Sequence, residues 1–301
     1  MPIVIPKSLP AHDILARENI FVMSHARATR QDIRPIEIAI VNLMPTKVDT
    51  ETQLMRLLGN SPLQVNVTLV KTGSYTGTHT PLEHLDRFYK TFAEIRHRKF
   101  DGMIVTGAPV ETLPFEEVAY WDELKEIMDY ADKYITSTVF ICWGAQAALY
   151  HYYGINKIAL PEKLFGVYRV RSLDENEPLL RGMNDIMHIP MSRHTAVDED
   201  AVAACKEIKV LAAGDQCGLS IAKSKDNKKF FFTGHSEYDR FTLRSEYLRD
   251  REKGLPIKPP VHYFIDGDID RVNMKWRSTA TLLFNNWLNY VYQVTPYDIN
   301  G

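Results

Sequence analysis

From residue 36 onward, short apolar runs alternate with segments whose apolar positions recur every three or four residues. Ile36–Val41 is a compact β-type run, closed by Asn42-Leu43-Met44-Pro45. Thr46 or Asp49 can cap a following helix, whose apolar face carries Leu54, Leu57 and Leu58. Residues 65–70 predict a second strand, Leu85, Phe88, Phe92 and Ile95 have helical spacing, and 103–106 predict a short buried strand. A helix over 115–134 and a strand over 138–141 follow, and a helix starts directly after that strand with Ala145, Ala148 and Leu149. Such alternation predicts an α/β fold, a mostly parallel central sheet with helices on both faces. After Gly154 the pattern shifts to shorter strands at 164–170, 208–212 and 219–222 and a buried β run at 229–233. Two helices, near 241–253 and 274–291, close the chain across a proline-rich link at 256–260. Residues 1–35, mixed and rich in charge and proline, read as an N-terminal arm packed on the main body. Residues 36–301 read as a single catalytic α/β domain with local insertions.

Composition narrows the function. With 301 residues, 45% hydrophobic and 25% charged, the chain can bury a sizeable core. A net charge of −2 without a long like-charge block argues against a nucleic-acid surface. No apolar run reaches transmembrane length, and Met1-Pro2-Ile3-Val4-Ile5-Pro6 lacks a basic region followed by an apolar stretch, so the expected location is cytoplasmic. The three cysteines, Cys142, Cys205 and Cys217, show no ligand-like pairing, which argues against a disulfide or a metal site. Single-thiol chemistry remains.

The run Val139-Phe140-Ile141-Cys142-Trp143-Gly144-Ala145-Gln146 places Cys142 between a buried strand and a helix start. That is the setting of a nucleophile elbow, in which a sharp turn lifts the side chain clear of the sheet. The helix N-terminus behind it favours thiolate, and the Trp143 N–H points where an oxyanion would develop. The alternative, a buried cysteine acting as a small hydrophobe, holds for Cys205 and Cys217, which lack this setting. A thiol nucleophile in acyl transfer needs a base and an orienter for it. His235 follows Phe230-Phe231-Phe232-Thr233-Gly234, a buried strand ending where the active site of a parallel sheet gathers. Glu237 stands two residues on; in an extended segment it points the same way and can reach the imidazole.

Cys-x-Gly-x-Gln after a strand with a later His-x-Glu is similar to the class I glutamine amidotransferase fold, although Phe140 stands where those enzymes have glycine. The segments 6–11, 42–47, 106–111, Tyr120-Trp121, 141–147 and 234–238 together resemble the homoserine O-acyltransferase family of methionine biosynthesis, from the first residues to about Trp287. The resemblance implies an acyl-CoA donor, acetyl-CoA in the favoured reading, and L-homoserine as acceptor. Cys142 would form the acyl-thioester, His235 would act as base and Glu237 would support it. No metal or tightly bound cofactor is implied. A second oxyanion amide is expected at Gly107–Ala108. The family's binding positions fall on Lys163, Ser192 and Arg249, and the Arg249 guanidinium suits a carboxylate. Lys47 is a candidate for the pocket rim. Glu111 falls where glutamate goes with acetyl transfer and a small residue with succinyl transfer, because a carboxylate there fills space and repels the succinyl carboxylate. Succinyl transfer, a glutaminase or hydrolase with the same triad, and a non-enzymatic thiol sensor are the rival readings. Oligomeric state is left open, a homodimer being the assembly considered.

Overall fold

Even the start of the chain is drawn into the sheet that organises the molecule. The computed structural model describes residues 3–18, 22–23, 34–74 and 80–296. Among them one sheet is formed by β1 (Ile3–Val4), β2 (Val22–Met23), β3 (Ile36–Val41), β4 (Val65–Lys71), β5 (Tyr89–Thr91), β6 (Gly102–Val105), β7 (Ser137–Ile141), β8 (Lys157–Ser172), β9 (Ile186–Val197), β10 (Ile208–Gly214), β11 (Gly218–Ser224) and β12 (Lys229–Phe232). Its order is β2-β1-β4-β3-β6-β7-β12-β11-β10-β8-β9, with β5 also paired to β4. Every pairing from β2 to β12 is parallel, and every pairing from β12 to β9 is antiparallel. The shorter strands after Gly154 are thus an antiparallel extension of a parallel α/β core.

Strand alternation sends successive side chains to opposite faces. Val139 and Ile141 pack with Leu54, Leu58, Leu283 and Trp287 on one side, beneath the helices Lys47–Gly59 and Arg277–Val294. Phe140 and Phe231 pack on the other side with Leu124, Ile127 and Trp143, beneath the helices Trp121–Tyr134 and Trp143–Tyr153. Full burial of each Leu, Ile or Phe contributes roughly 1.5–3 kcal/mol, so two such faces fix the strand ends tightly. A smaller third core, with Tyr238, Leu243, Tyr247, Tyr263 and Trp276, lies beside β13 (Phe264–Ile265) and β14 (Asp268–Val272). Trp276 Nε1 donates to the Tyr238 carbonyl at 2.8 Å, tying that core to the segment after β12. No described helix is long and apolar enough to cross a membrane.

Several elements depart from the sequence expectation. The helical spacing over 85–95 is split into the helices Leu82–Phe88 and Phe92–Ile95, because the intervening β5 pairs with β4 and a Thr91–Glu94 capping box starts a new helix. The helix expected over 115–134 begins as the 3₁₀ turn Phe115–Glu117 and becomes regular only at Trp121. Strand β8 runs 16 residues instead of covering 164–170. Strand β9, 12 residues long, has no counterpart in the sequence reading, and it carries Ser192.

Candidate active site

Cys142 stands one residue beyond the Ile141–Phe232 register of the parallel strands β7 and β12, and its N–H donates to the Phe232 carbonyl at 2.7 Å. Its backbone, at φ 51° and ψ −116°, is in a region that L residues avoid. Such strain, about 1–3 kcal/mol, is characteristic of a nucleophile held out of a sheet. The next turn begins at once: the N–H groups of Ala145 and Gln146 both donate to the Cys142 carbonyl, at 3.0 and 3.1 Å. A Cβ on Gly144 would lie 2.6 Å from the Thr106 carbonyl oxygen, so only glycine lets the elbow press against the end of β6. Across the gap, a Cβ on Gly107 would sit 3.2 Å from the Cys142 Cβ and 3.7 Å from the His235 Cε1. The Gly107–Ala108 loop therefore lies directly against the thiol and the imidazole, and Thr106 braces it by accepting from the Leu43 N–H at 2.8 Å. Trp143 is the first residue of the elbow helix, so its N–H belongs to the turn that lacks intrahelical acceptors.

His235 is 4% exposed, and its Nδ1 meets Glu237 Oε1 at 2.6 Å. The segment is a turn, with Tyr238 N–H donating to the His235 carbonyl at 3.2 Å, and not the extended run expected. The carboxylate reaches the ring because the backbone folds back. Burial disfavours the charged imidazole, but the negative charges of Cys142 and Glu237 and hydrogen bonds to both outweigh it and hold His235 well above its ordinary value. Nδ1 being committed to Glu237, Nε2 is the ring atom left for the sulfur. Tyr238 stacks on the imidazole at 4.1 Å between ring centroids, fixing its plane.

Lys163, Ser192 and Arg249 converge on one helix, Thr242–Glu252. Ser192 Oγ donates to Glu246 Oε2 at 2.5 Å, and Lys163 Nζ lies 3.6 Å from Glu246 and 3.2 Å from Asp250. Arg249 Nε donates to Asp250 Oδ1 at 2.8 Å while its side chain stays 53% exposed. Burial would raise the Asp250 carboxyl, but its hydrogen bond to Arg249 and the charge of Lys163 prevail and hold it below its usual range. Glu246 and Tyr238 were not foreseen from sequence. Glu246 Oε1 accepts from the Tyr238 hydroxyl at 2.8 Å, so this polar cluster is linked through Tyr238 to the face of His235.

Glu111 approaches from the loop after β6. Its Oε2 accepts from the His194 N–H at 2.9 Å and lies 3.4 Å from the Thr195 hydroxyl, which is 2.9 Å from Gln146 Oε1 in the first turns of the elbow helix. Lys47 opens the helix Lys47–Gly59, and its Nζ reaches back to the loop after β3 to donate to the carbonyls of Asn42 and Met44. Burial brings its ammonium down to about 8, against the pull of Glu51.

A family model described as homoserine O-succinyltransferase matches residues 2–297. A homoserine O-acetyltransferase of Bacillus licheniformis is 54% identical, covering 99% of each chain. One of Acetivibrio thermocellus is 54% identical over 100% of this chain and 99% of its own, and one of Bacillus subtilis is 53% identical over 99% of each. Among solved structures, a glutamine amidotransferase of Thermotoga maritima aligns with a TM-score of 0.56 at 12% identity, covering 86% of this chain and 99% of that one. A glutamine amidotransferase of Methylobacillus flagellatus gives 0.55 at 12% identity, over 90% and 99%. These two share the fold.

Proposed function

The chain belongs to the homoserine O-succinyltransferase family, and from that premise we propose that it transfers an acetyl group from acetyl-CoA to the side-chain hydroxyl of L-homoserine through a thioester on Cys142. The observation that carries the mechanism is the buried line Cys142–His235–Glu237 at the carboxyl ends of adjacent parallel strands. The Cys142 thiolate attacks the thioester carbonyl, and the oxyanion is received by the N–H groups of Trp143 and Ala108. Collapse expels the CoA thiolate, which takes the proton held by the His235 imidazolium. Homoserine then enters, neutral His235 removes its hydroxyl proton, and the oxygen attacks the acyl-thioester. The second collapse restores thiolate and imidazolium, so protons balance over the cycle. Acetyl-CoA is a co-substrate in this scheme and nothing need stay bound between cycles.

Homoserine brings a carboxylate and an ammonium, and the cluster beside Tyr238 has a partner for each. Arg249, half exposed, offers a fork for the carboxylate, and Lys163 and Ser192 flank it. The Glu246 carboxylate supplies the anion an ammonium needs. Glu246→Gln is expected to leave acetylation of Cys142 by acetyl-CoA unchanged while kcat/KM for homoserine falls about 10–100-fold, the effect of losing one charged hydrogen bond. Rapid-quench measurement of the half-reaction, beside steady-state rates, checks this; equal losses in both would remove Glu246 from the acceptor site.

The relatives in the comparison are acetyltransferases while the family model is described by succinyl transfer, so the donor turns on the acyl pocket. Glu111 supports acetyl. Two carboxylates about 5 Å apart at an effective dielectric near 20 repel by roughly 3 kcal/mol, or about two orders of magnitude in discrimination. Wild-type protein assayed with homoserine should therefore turn over acetyl-CoA far faster than succinyl-CoA. Glu111→Gly should move the ratio of kcat/KM toward succinyl-CoA about 100-fold, and Glu111→Gln part of the way, since it keeps the bulk. A ratio unmoved by both substitutions would remove Glu111 from the acyl pocket.

A further inference from the structure

One face of the β8–β9 ladder gathers cations without a counter-charge. Strand alternation turns Tyr168, Val170, Met187 and Ile189 into the main core, and so turns Arg169 and His188 to the opposite face. On that face of β9, His188 stands four positions from Ser192. Arg169 and His188 are register partners on antiparallel strands, an opposition that costs stability when both are charged. His262 joins them: its backbone takes a left-handed φ of 56°, and its Nδ1 donates to the Val167 carbonyl at 3.2 Å. Lys275 completes the group. Burial holds the His188 imidazole below its ordinary value, and the charges of Lys275, Arg169 and His262, all positive, push it the same way. Among the described residues, the side chains of Arg169, His188 and Lys275 make neither a hydrogen bond nor an ion pair. The helix that follows Lys275, Arg277–Val294, has no acid in its first turn. A cavity of about 480 Å³ opens there, lined by Lys275, Arg277, Ser278 and Thr281 with Met274 and Leu282. In a chain with 36 Lys and Arg against 38 Asp and Glu, a cluster of one sign is not a consequence of composition, and it concentrates a positive potential.

We propose that Arg169, His188, His262 and Lys275 form a binding site for a phosphate-bearing anion, between the β8–β9 ladder and the start of the helix Arg277–Val294. A diphosphate offers the several charged oxygens that a guanidinium fork, an ammonium and two imidazoles can share; a carboxylate, with two, would leave part of the group unmet. Two sources supply that chemistry: the nucleotide end of the acyl-CoA, and a free phosphate compound bound apart from the catalytic thiol. The fold connects the site to the catalytic base either way. His188 lies two residues from Pro190, whose carbonyl accepts from the His235 N–H at 2.8 Å. Trp276, next to Lys275, donates to the carbonyl of Tyr238, which stacks on the His235 ring. The first source rests on the acyl-transfer reading of Cys142; the anion site itself does not.

Isothermal titration with sodium pyrophosphate at constant ionic strength reads the site without any turnover. One saturable site is expected in the wild type. Arg169→Ala and Lys275→Ala, both at exposed positions, should each raise Kd about tenfold or more, the loss of one charged hydrogen bond. Lys206→Ala, at an exposed lysine elsewhere, should leave Kd unchanged. Acetylation of Cys142 by acetyl-CoA and by the phosphate-free thioester S-acetyl-N-acetylcysteamine then separates the sources. If the nucleotide end of the donor fills the site, Arg169→Ala raises KM for acetyl-CoA about tenfold and spares the short donor, and pyrophosphate competes with acetyl-CoA alone. If a free compound fills it, KM for acetyl-CoA is unmoved by the substitution, and pyrophosphate changes wild-type rates with both donors but not those of the variant. Absence of saturable pyrophosphate binding, or equal binding by the wild type, Arg169→Ala and Lys275→Ala, overturns the proposal.

Discussion

Cys142→Ala is expected to lower kcat by about 10⁵–10⁶-fold, the scale on which loss of a covalent nucleophile is felt when its supporting groups stay in place. The substitution removes one sulfur from a 7% exposed position and leaves the elbow intact, since Ala145 and Gln146 bond to the backbone carbonyl of residue 142 and not to its side chain. The melting temperature should therefore stay within a few degrees of the wild type while turnover vanishes, which steady-state rates and a thermal melt on the same preparation measure. Neither other thiol can substitute. Burial pushes the Cys217 thiol up to about 11 in spite of the opposing pull of Arg193, and Cys205 follows the short helix Glu199–Ala204, away from any strand end of the parallel half. Normal turnover by the alanine variant would contradict the assignment.

His235→Ala is expected to cost about 10⁴-fold or more in kcat, and Glu237→Ala about 10²–10³-fold. The difference follows from their positions. His235 handles the proton at both transfers, whereas Glu237 acts through the ring by holding Nδ1 at 2.6 Å. With Glu237 removed, Tyr238 still stacks on the imidazole at 4.1 Å and preserves its plane, so part of the population keeps the productive tautomer. Glu237→Gln should recover less than an orienting role would need if its charge also sustains the imidazolium. Rates of Cys142 acetylation and of homoserine transfer, measured separately, check this. A Glu237→Ala variant as fast as the wild type would end its supporting role.

The features legible in the sequence were those signalled locally. Strand, cysteine, small residue and helix follow one another within 139–146, and a run of three phenylalanines marks β12 just before Gly234-His235. These patterns place nucleophile and base at the carboxyl ends of strands; that the two strands, β7 and β12, are neighbours is visible only in the fold. Strand β9, which carries Ser192, was hidden for a physical reason. In Ile186–Val197, Pro190 and the polar run Ser192-Arg193-His194-Thr195 break the apolar alternation, although Arg193 and Thr195 are buried. A buried guanidinium reads as solvent-facing until the carbonyls that satisfy it are known. Glu246 sits in a charge-rich helix that resembles a solvated face; its i,i+4 spacing from Asp250, with Lys163 bridging both, was the available hint. The split of the helical pattern at Tyr89 was similarly foreshadowed by Thr91-x-x-Glu94, a capping box that announces a fresh helix start.

Intact-protein mass spectrometry after brief mixing with acetyl-CoA, without homoserine, reads the covalent intermediate itself. One added acetyl group is expected, located on Cys142 by peptide mapping, absent from Cys142→Ala and discharged on addition of L-homoserine. An unmodified protein that nevertheless turns over, or an acetyl group on Cys205 or Cys217, would contradict it.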